Sequence, residues 1–155
     1  MSYYDYINEM NELLTRNGFA MKIRNRLLNQ ETTLNVHEAI CVADDKTRAY
    51  QLYDLIYDER CKIGDGIKCK LDDLLWLNNC LVRFGHAAQP TKTSALKMFK
   101  KYVHMLIYDL EYERYDKAYE SRLDMIRALR KNPLLRYPKE MAKRDTVLKL
   151  FLVKM

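Results

Sequence analysis

The chain of 155 residues has little glycine and proline, with 4 glycines and 3 prolines. These two residues end strands and form the tight turns that a sheet of many strands needs. Their scarcity argues against an all-β fold and favours helices. Hydrophobic residues make up 48% of the chain and charged residues 31%, values typical of folded proteins rather than disordered ones. A chain of this length fits one domain with a genuine core.

Long hydrophobic runs and a secretory signal are also missing. No apolar run approaches the roughly 20 residues that cross a bilayer, and the N-terminal residues lack the basic and apolar regions of a signal peptide. The 4 cysteines form no Cys-x-x-Cys pair that could bind zinc or exchange disulfides. We therefore expect no membrane partner and an intracellular protein with reduced thiols, cytoplasmic or, in a eukaryote, nuclear.

Motifs for catalysis and metal binding are absent as well. His37, His86 and His104 lie far apart and form no H-x-x-x-H or H-E-x-x-H spacing. Gly64 and Gly66 are not followed by the Lys-Ser/Thr pair of a nucleotide-binding loop. We therefore predict a protein that is not an enzyme, with no catalytic residue, metal, cofactor or small-molecule substrate.

Apolar residues do recur at helical spacing over most of the chain. Tyr3, Ile7, Met10 and Leu14 lie four, three and four positions apart, which is the period of one helix face, and Gly18 can end this helix. Similar patterns cover residues 19–29, 35–43, 46–58 and 71–84. The sequence therefore predicts an all-α, single-domain bundle over residues 1–155, with five to seven helices.

Residues 35–58 resemble a helix-turn-helix, with Asp44 and Asp45 between two short helix patterns. In this motif the second helix presents the N-terminal half of its outer face to the major groove. Here that half carries four polar residues, Lys46, Thr47, Arg48 and Gln51. Arginine can read guanine and glutamine can read adenine, whereas lysine and threonine can hold phosphates. We therefore predict that Arg48 and Gln51 contact bases.

The charge around this motif is mixed. Asp44 and Asp45 stand where the turn usually has glycine and an apolar residue, and their carboxylates would repel phosphates. Two packed helices of an ordinary all-α domain are therefore the alternative interpretation. After the motif, Gly64-Asp65-Gly66 between Ile63 and Ile67 predicts a small β-hairpin over residues 61–70, a candidate wing.

Positive charge is concentrated towards the C-terminus. Residues 1–90 hold 11 Lys/Arg and 13 Asp/Glu, whereas residues 91–155 hold 16 and 8. The basic segment 126–155 alone holds nine basic residues and two acidic ones, and such a surface attracts phosphates. The predicted phosphate contacts in this segment are Arg127, Arg130, Lys131, Lys143 and Arg144.

A stretch without glycine or proline, residues 94–131, predicts one long helix. Its length of about 57 Å would exceed a small domain. It should therefore either break near residues 111–113 or project and pair with another chain. Four tyrosines along it, Tyr108, Tyr112, Tyr115 and Tyr119, recur at helical spacing and predict one stripe. Such a stripe fits a protein interface or, alternatively, the stacking of single-stranded bases.

Two functions follow from these patterns. The first is a small regulatory protein that binds DNA or RNA through the helix-turn-helix and the basic segment. The second is a helical adaptor or inhibitor that binds another protein and forms a homo-oligomer. Its contacts would be the tyrosine stripe and Leu148, Phe151 and Leu152 in the apolar run 147–153, whose pattern fits a helix or a short strand.

Overall fold

The computed structural model describes residues 3–31, 35–40 and 45–142. Within these ranges the chain forms nine α-helices, two 3-10 helices and one isolated antiparallel bridge. The α-helices are α1 (Tyr3–Arg16), α2 (Met21–Leu28), α3 (Val36–Ile40), α4 (Lys46–Leu71), α5 (Leu74–Arg83), α6 (Lys92–Tyr102), α7 (Ile107–Glu111), α8 (Arg122–Lys131) and α9 (Lys139–Ala142). The 3-10 helices are Tyr115–Lys117 and Pro133–Leu135. The prediction of an all-α fold is confirmed. None of the helices described here is sufficiently long and apolar to cross a membrane.

The central element is α4, on which α1, α5 and α7 pack. It has 26 residues, so it is about 39 Å long. Its inner face recurs at helical spacing over the full length and consists of Ala49, Leu52, Ile56, Arg60, Ile63, Ile67 and Leu71. The core is therefore built around α4, which packs against the N-terminal helix α1 and against the later helices α5 and α7.

The predicted hairpin at residues 61–70 is wrong, because α4 continues through Gly64-Asp65-Gly66. A glycine inside a helix costs about 1 kcal/mol relative to alanine. Burial of Ile63 and Ile67, at roughly 1.5–3 kcal/mol for each side chain, outweighs this cost. The glycines also allow close packing, since a Cβ atom on Gly66 would collide with the carboxylate of Glu111 on α7.

The predicted long helix over residues 94–131 is also wrong, because this range contains three α-helices and a 3-10 helix. Its first part ends at Tyr102, where Val103 becomes extended with φ −103° and ψ 109°. Residues 105–110 are all buried. Because every side of this segment lies in the core, it cannot continue a helix that keeps one face in solvent. A second interruption follows at Glu113, which has a φ of 55°. The break expected near residues 111–113 is therefore present, but burial of the preceding segment ends the helix earlier.

Residues near in sequence set several helix ends, and the predicted end of α1 near Gly18 is confirmed. Gly18 and Gly85 follow α1 and α5 with φ values of 80° and 84°, a conformation that glycine adopts without strain. The carboxylate of Asp73 caps α5 by accepting from the backbone N–H groups of Leu75 and Trp76. Residues close to each helix end in the sequence therefore determine where these helices begin and end.

The helix-turn-helix is described only in part. Helix α3 packs against α4, but residues 41–44, which include Asp44 of the predicted turn, lie outside the described residues. The motif over residues 35–58 therefore stays a prediction. Residues 143–155, which include the apolar run 147–153, also lie outside the described part of the chain.

Arg60 is a fully buried charge at the centre of the core. Its Nε donates to the hydroxyl oxygens of Tyr3 at 2.9 Å and Tyr108 at 3.2 Å. Its Nη1 donates to the carbonyl of Leu28 at 2.6 Å and to Oε1 of Gln30 at 3.1 Å. Nη2 makes no hydrogen bond. Burial acts to lower the pKa of Arg60, but the two tyrosines outweigh it and raise the pKa. The guanidinium therefore stays charged and joins α1, α4, α7 and the end of α2.

Candidate nucleic-acid interface

The predicted base-reading residues lie on the first turns of α4, beside α1. Lys46, Thr47 and Gln51 are exposed. Arg48 is held by Glu9 of α1 through two contacts, Nη2 to Oε2 at 2.6 Å and Nε to Oε1 at 3.2 Å. The hydrogen bond to Glu9 is the main cause that raises the pKa of Arg48. These two hydrogen bonds use the same guanidinium N–H groups of Arg48 that would bind guanine.

The predicted phosphate contacts of the basic segment are only partly described. Arg127, Arg130 and Lys131 are exposed on α8, which packs on the 3-10 helix Pro133–Leu135. The Nη1 atom of Arg127 lies 3.8 Å from the carboxylate of Asp124. The structure therefore brings these three residues together on one helix, away from the helix that carries Arg48. Lys143 and Arg144 lie outside the described residues.

The four predicted stripe tyrosines do not share a helix. Tyr108 is fully buried and stacks on Tyr3 with ring centroids 4.4 Å apart. Tyr112 is 40% exposed at the end of α7, and the guanidinium of Arg83 lies over the ring of Tyr115. The backbone N–H of Tyr119 donates to the carbonyl of His104 at 2.9 Å. A single tyrosine stripe is therefore wrong, because the helix that would carry it is interrupted. Leu148, Phe151 and Leu152 lie outside the described residues.

A basic segment that the sequence analysis missed lies between Asp73 and Asp109. Residues 74–108 contain five Lys/Arg and no Asp or Glu. Charges counted separately over residues 1–90 and 91–155 do not reveal this segment, because the boundary at residue 90 falls inside it. An unbroken run of 35 residues without a carboxylate was the signal that could have revealed it. Helices α5 and α6 of this segment pack against each other.

Helix α6 presents its lysines on one side. Ala95 and Phe99 are buried. The ring centroid of Phe99 lies 6.1 Å from the ring centroid of Trp76 on α5. Lys97, Lys100 and Lys101 are exposed and fall within a sector of about 100° at 3.6 residues per turn. None of them forms an ion pair with a described residue. We call these three residues the lysine face of α6.

An exposed aromatic ring adjoins Lys101 of the lysine face. Tyr102, the last residue of α6, is 37% exposed. The imidazole of His86 stacks on it, with ring centroids 4.1 Å apart and planes inclined by 23°. The Nζ atom of Lys101 lies 5.2 Å from the centroid of the Tyr102 ring. An oriented aromatic ring thus adjoins a lysine that forms no ion pair with the described part of the chain.

The start of α8 lies next to the end of α6. The bridge between His104 and Tyr119 joins the two segments, and Arg122 follows three residues later. Burial, and then the charge of Arg122, lower the pKa of His104. Arg122 is exposed and adds a positive charge at the start of α8. Within the described residues, no three His, Cys, Asp or Glu side chains group as metal ligands.

No model of a known protein family matches the chain. No curated protein and no solved structure shows a significant similarity to it.

Proposed function

We propose that the protein binds nucleic acid through the lysine face of α6, extended by Arg122. The observation that carries this proposal is the exposure of Lys97, Lys100 and Lys101 in a segment without carboxylates. Lysines that lack an acidic partner keep their full attraction for phosphates, and the release of counterions from the phosphates supplies most of the affinity. The α6 surface therefore takes the role that the sequence assigned to residues 126–155.

The residues predicted from sequence have secondary roles in this proposal. Arg127, Arg130 and Lys131 on α8 add further phosphate contacts, and the sequence predicts the same role for Lys143 and Arg144. Arg48 would have to leave Glu9 before it could read a base, so its contribution is selectivity rather than affinity. A protein of this kind would act as a regulator of nucleic acid inside the cell.

Replacement of the three lysines tests the proposal. The variant Lys97→Ala/Lys100→Ala/Lys101→Ala should bind labelled DNA and RNA oligonucleotides at least about tenfold more weakly at low salt, at every sequence. The matched control removes the same charge elsewhere, at the exposed residues Lys22, Lys62 and Lys139. Fluorescence anisotropy measures both variants. An equal loss in both, or no binding by the unchanged protein, would contradict the proposal.

A second candidate function is protein binding, which the surface of α5 favours. Leu75 is 69% exposed and Val82 is 58% exposed. They are seven positions apart and therefore lie on one side of the helix. If this surface joins two copies of the chain, native mass spectrometry should show a dimer that Leu75→Ser/Val82→Ser converts to a monomer. A monomer for the unchanged protein would reject the dimer.

A further inference from the structure

We propose that the nucleic acid on the lysine face is single-stranded and that one unpaired base stacks on Tyr102. This inference rests on the proposed function and adds the class of strand and the residue that selects it. Its basis is the position of an exposed, oriented tyrosine ring beside Lys101, on a helix whose lysine face forms no ion pair with a described residue.

The position of Tyr102 suits a base-stacking residue. Its neighbour Phe99, one turn earlier, is only 2% exposed and belongs to the core, whereas Tyr102 is 37% exposed. On a helix Tyr102 lies about 100° round from Lys101 and about 140° and 160° from Lys97 and Lys100, so Lys101 is the residue of the lysine face that adjoins the ring. A strand whose phosphate binds at Lys101 therefore passes beside the ring.

The ring is held in place before any ligand arrives. His86 stacks on it at 4.1 Å, and the loop that carries His86 is itself fixed to α5. The side-chain amide of Asn78 donates to the carbonyl of Gln89 at 3.0 Å and accepts from its N–H at 2.8 Å. A preorganised ring loses less conformational entropy when a base binds.

A lysine adjoins the same ring. The Nζ atom of Lys101 lies 5.2 Å from the centroid of Tyr102, and its side chain is exposed and flexible. It can therefore move aside to bind the phosphate of the nucleotide whose base is on the ring. Aromatic rings beside basic residues are the general means by which proteins bind single strands without a fixed sequence.

The preference for single strands over duplexes follows from whether a base can reach the ring of Tyr102. In a duplex the bases are paired and stacked inside, so Tyr102 has nothing to stack on and only the lysines make contact. In a single strand every base has an open face. The chemistry is shared by single-stranded DNA and RNA, and separate probes distinguish them.

The test uses short pyrimidine oligonucleotides of DNA and of RNA, each as a single strand and as a duplex, with the full-length chain. The unchanged protein should prefer the single strands. Tyr102→Leu should weaken single-strand binding between about fivefold and about 150-fold, while duplex binding stays within about twofold. Tyr102→Phe should retain the single-strand affinity, because the ring remains. The control Tyr112→Leu removes another tyrosine that is 40% exposed and should change neither affinity.

Each other result decides against the inference. An equal loss of single-strand and duplex binding in Tyr102→Leu would mean that the residue shapes the surface and does not stack. Unchanged single-strand binding in Tyr102→Leu would reject Tyr102 while leaving the lysine face as the binding surface. Absence of binding to every probe would overturn the proposed function itself.

Discussion

Arg60 places a charged guanidinium inside the core, and none of its hydrogen-bond partners among the described residues is acidic. Its hydrogen-bond partners are two tyrosine hydroxyls, a backbone carbonyl and the amide oxygen of Gln30. The hydroxyl of Tyr137 in turn donates to the backbone carbonyl of Arg60 at 3.2 Å. Removal of Arg60 would leave several of these polar groups unpaired and open a cavity, and both effects destabilise a folded protein.

We expect Arg60→Ala to lower the free energy of unfolding by about 3–5 kcal/mol. Arg130→Ala, at an exposed position, should change it by less than about 0.5 kcal/mol. Urea denaturation followed by circular dichroism measures both. A loss below about 1 kcal/mol for Arg60→Ala would show that the buried hydrogen bonds contribute little to stability.

The sequence contained part of the information on Arg60. The inner-face residues Ile56, Ile63 and Ile67 are spaced so that position 60 falls on the same face. Its partners could not be predicted, because Tyr3 and Tyr108 lie 57 and 48 positions away. Only the packing of α1 and α7 on α4 brings them together.

Close packing between α4 and α7 explains a glycine inside the longest helix. The space that a Cβ atom on Gly66 would need is filled by the carboxylate of Glu111. Lys70 contacts both this carboxylate, at 3.5 Å, and the backbone carbonyl of Glu111, at 2.7 Å. Alanine at position 66 would therefore have two opposing effects on stability. It would favour the helix, and it would displace the carboxylate that pairs with Lys70.

A double-mutant cycle separates these effects. In the Glu111→Ala background, Gly66→Ala should raise the free energy of unfolding by about 1 kcal/mol, because alanine favours the helix and no carboxylate is displaced. In the original chain the same change should gain less, or lose stability, because the Glu111 carboxylate must move. Urea denaturation of the four proteins gives the coupling energy. An identical effect in both backgrounds would contradict the packing account.

The elements differ in how far the sequence predicts them. Caps and glycine ends depend on neighbouring residues, so the helix end at Gly18 was correctly predicted. The hairpin and the long helix depend on which side chains the core buries, and local pattern does not contain that information. In α4 burial overrode two glycines, and after Tyr102 it ended a helix that contains no breaker residue.

The whole molecule places its charge differently from the linear sequence. The contrast between the two parts of the chain indicated the basic segment 126–155, and residues 74–108 are a second segment, one without carboxylates. Packing of α5 on α6, and the bridge from His104 to Tyr119, bring together three helices that carry positive side chains. The helix-turn-helix residues were predicted as a local motif, which could not reveal that Glu9 of α1 holds Arg48.

The central claim is that the lysine face binds phosphates, and the salt dependence of binding tests it most directly. Affinity for a single-stranded oligonucleotide should fall linearly on a logarithmic plot against salt concentration, with a slope of about −0.7 for each phosphate neutralised. The variant Lys97→Ala/Lys100→Ala/Lys101→Ala should reduce the magnitude of this slope by about 2. The control at Lys22, Lys62 and Lys139 should keep it. A slope that is the same in the unchanged protein and the lysine-face variant would contradict the account.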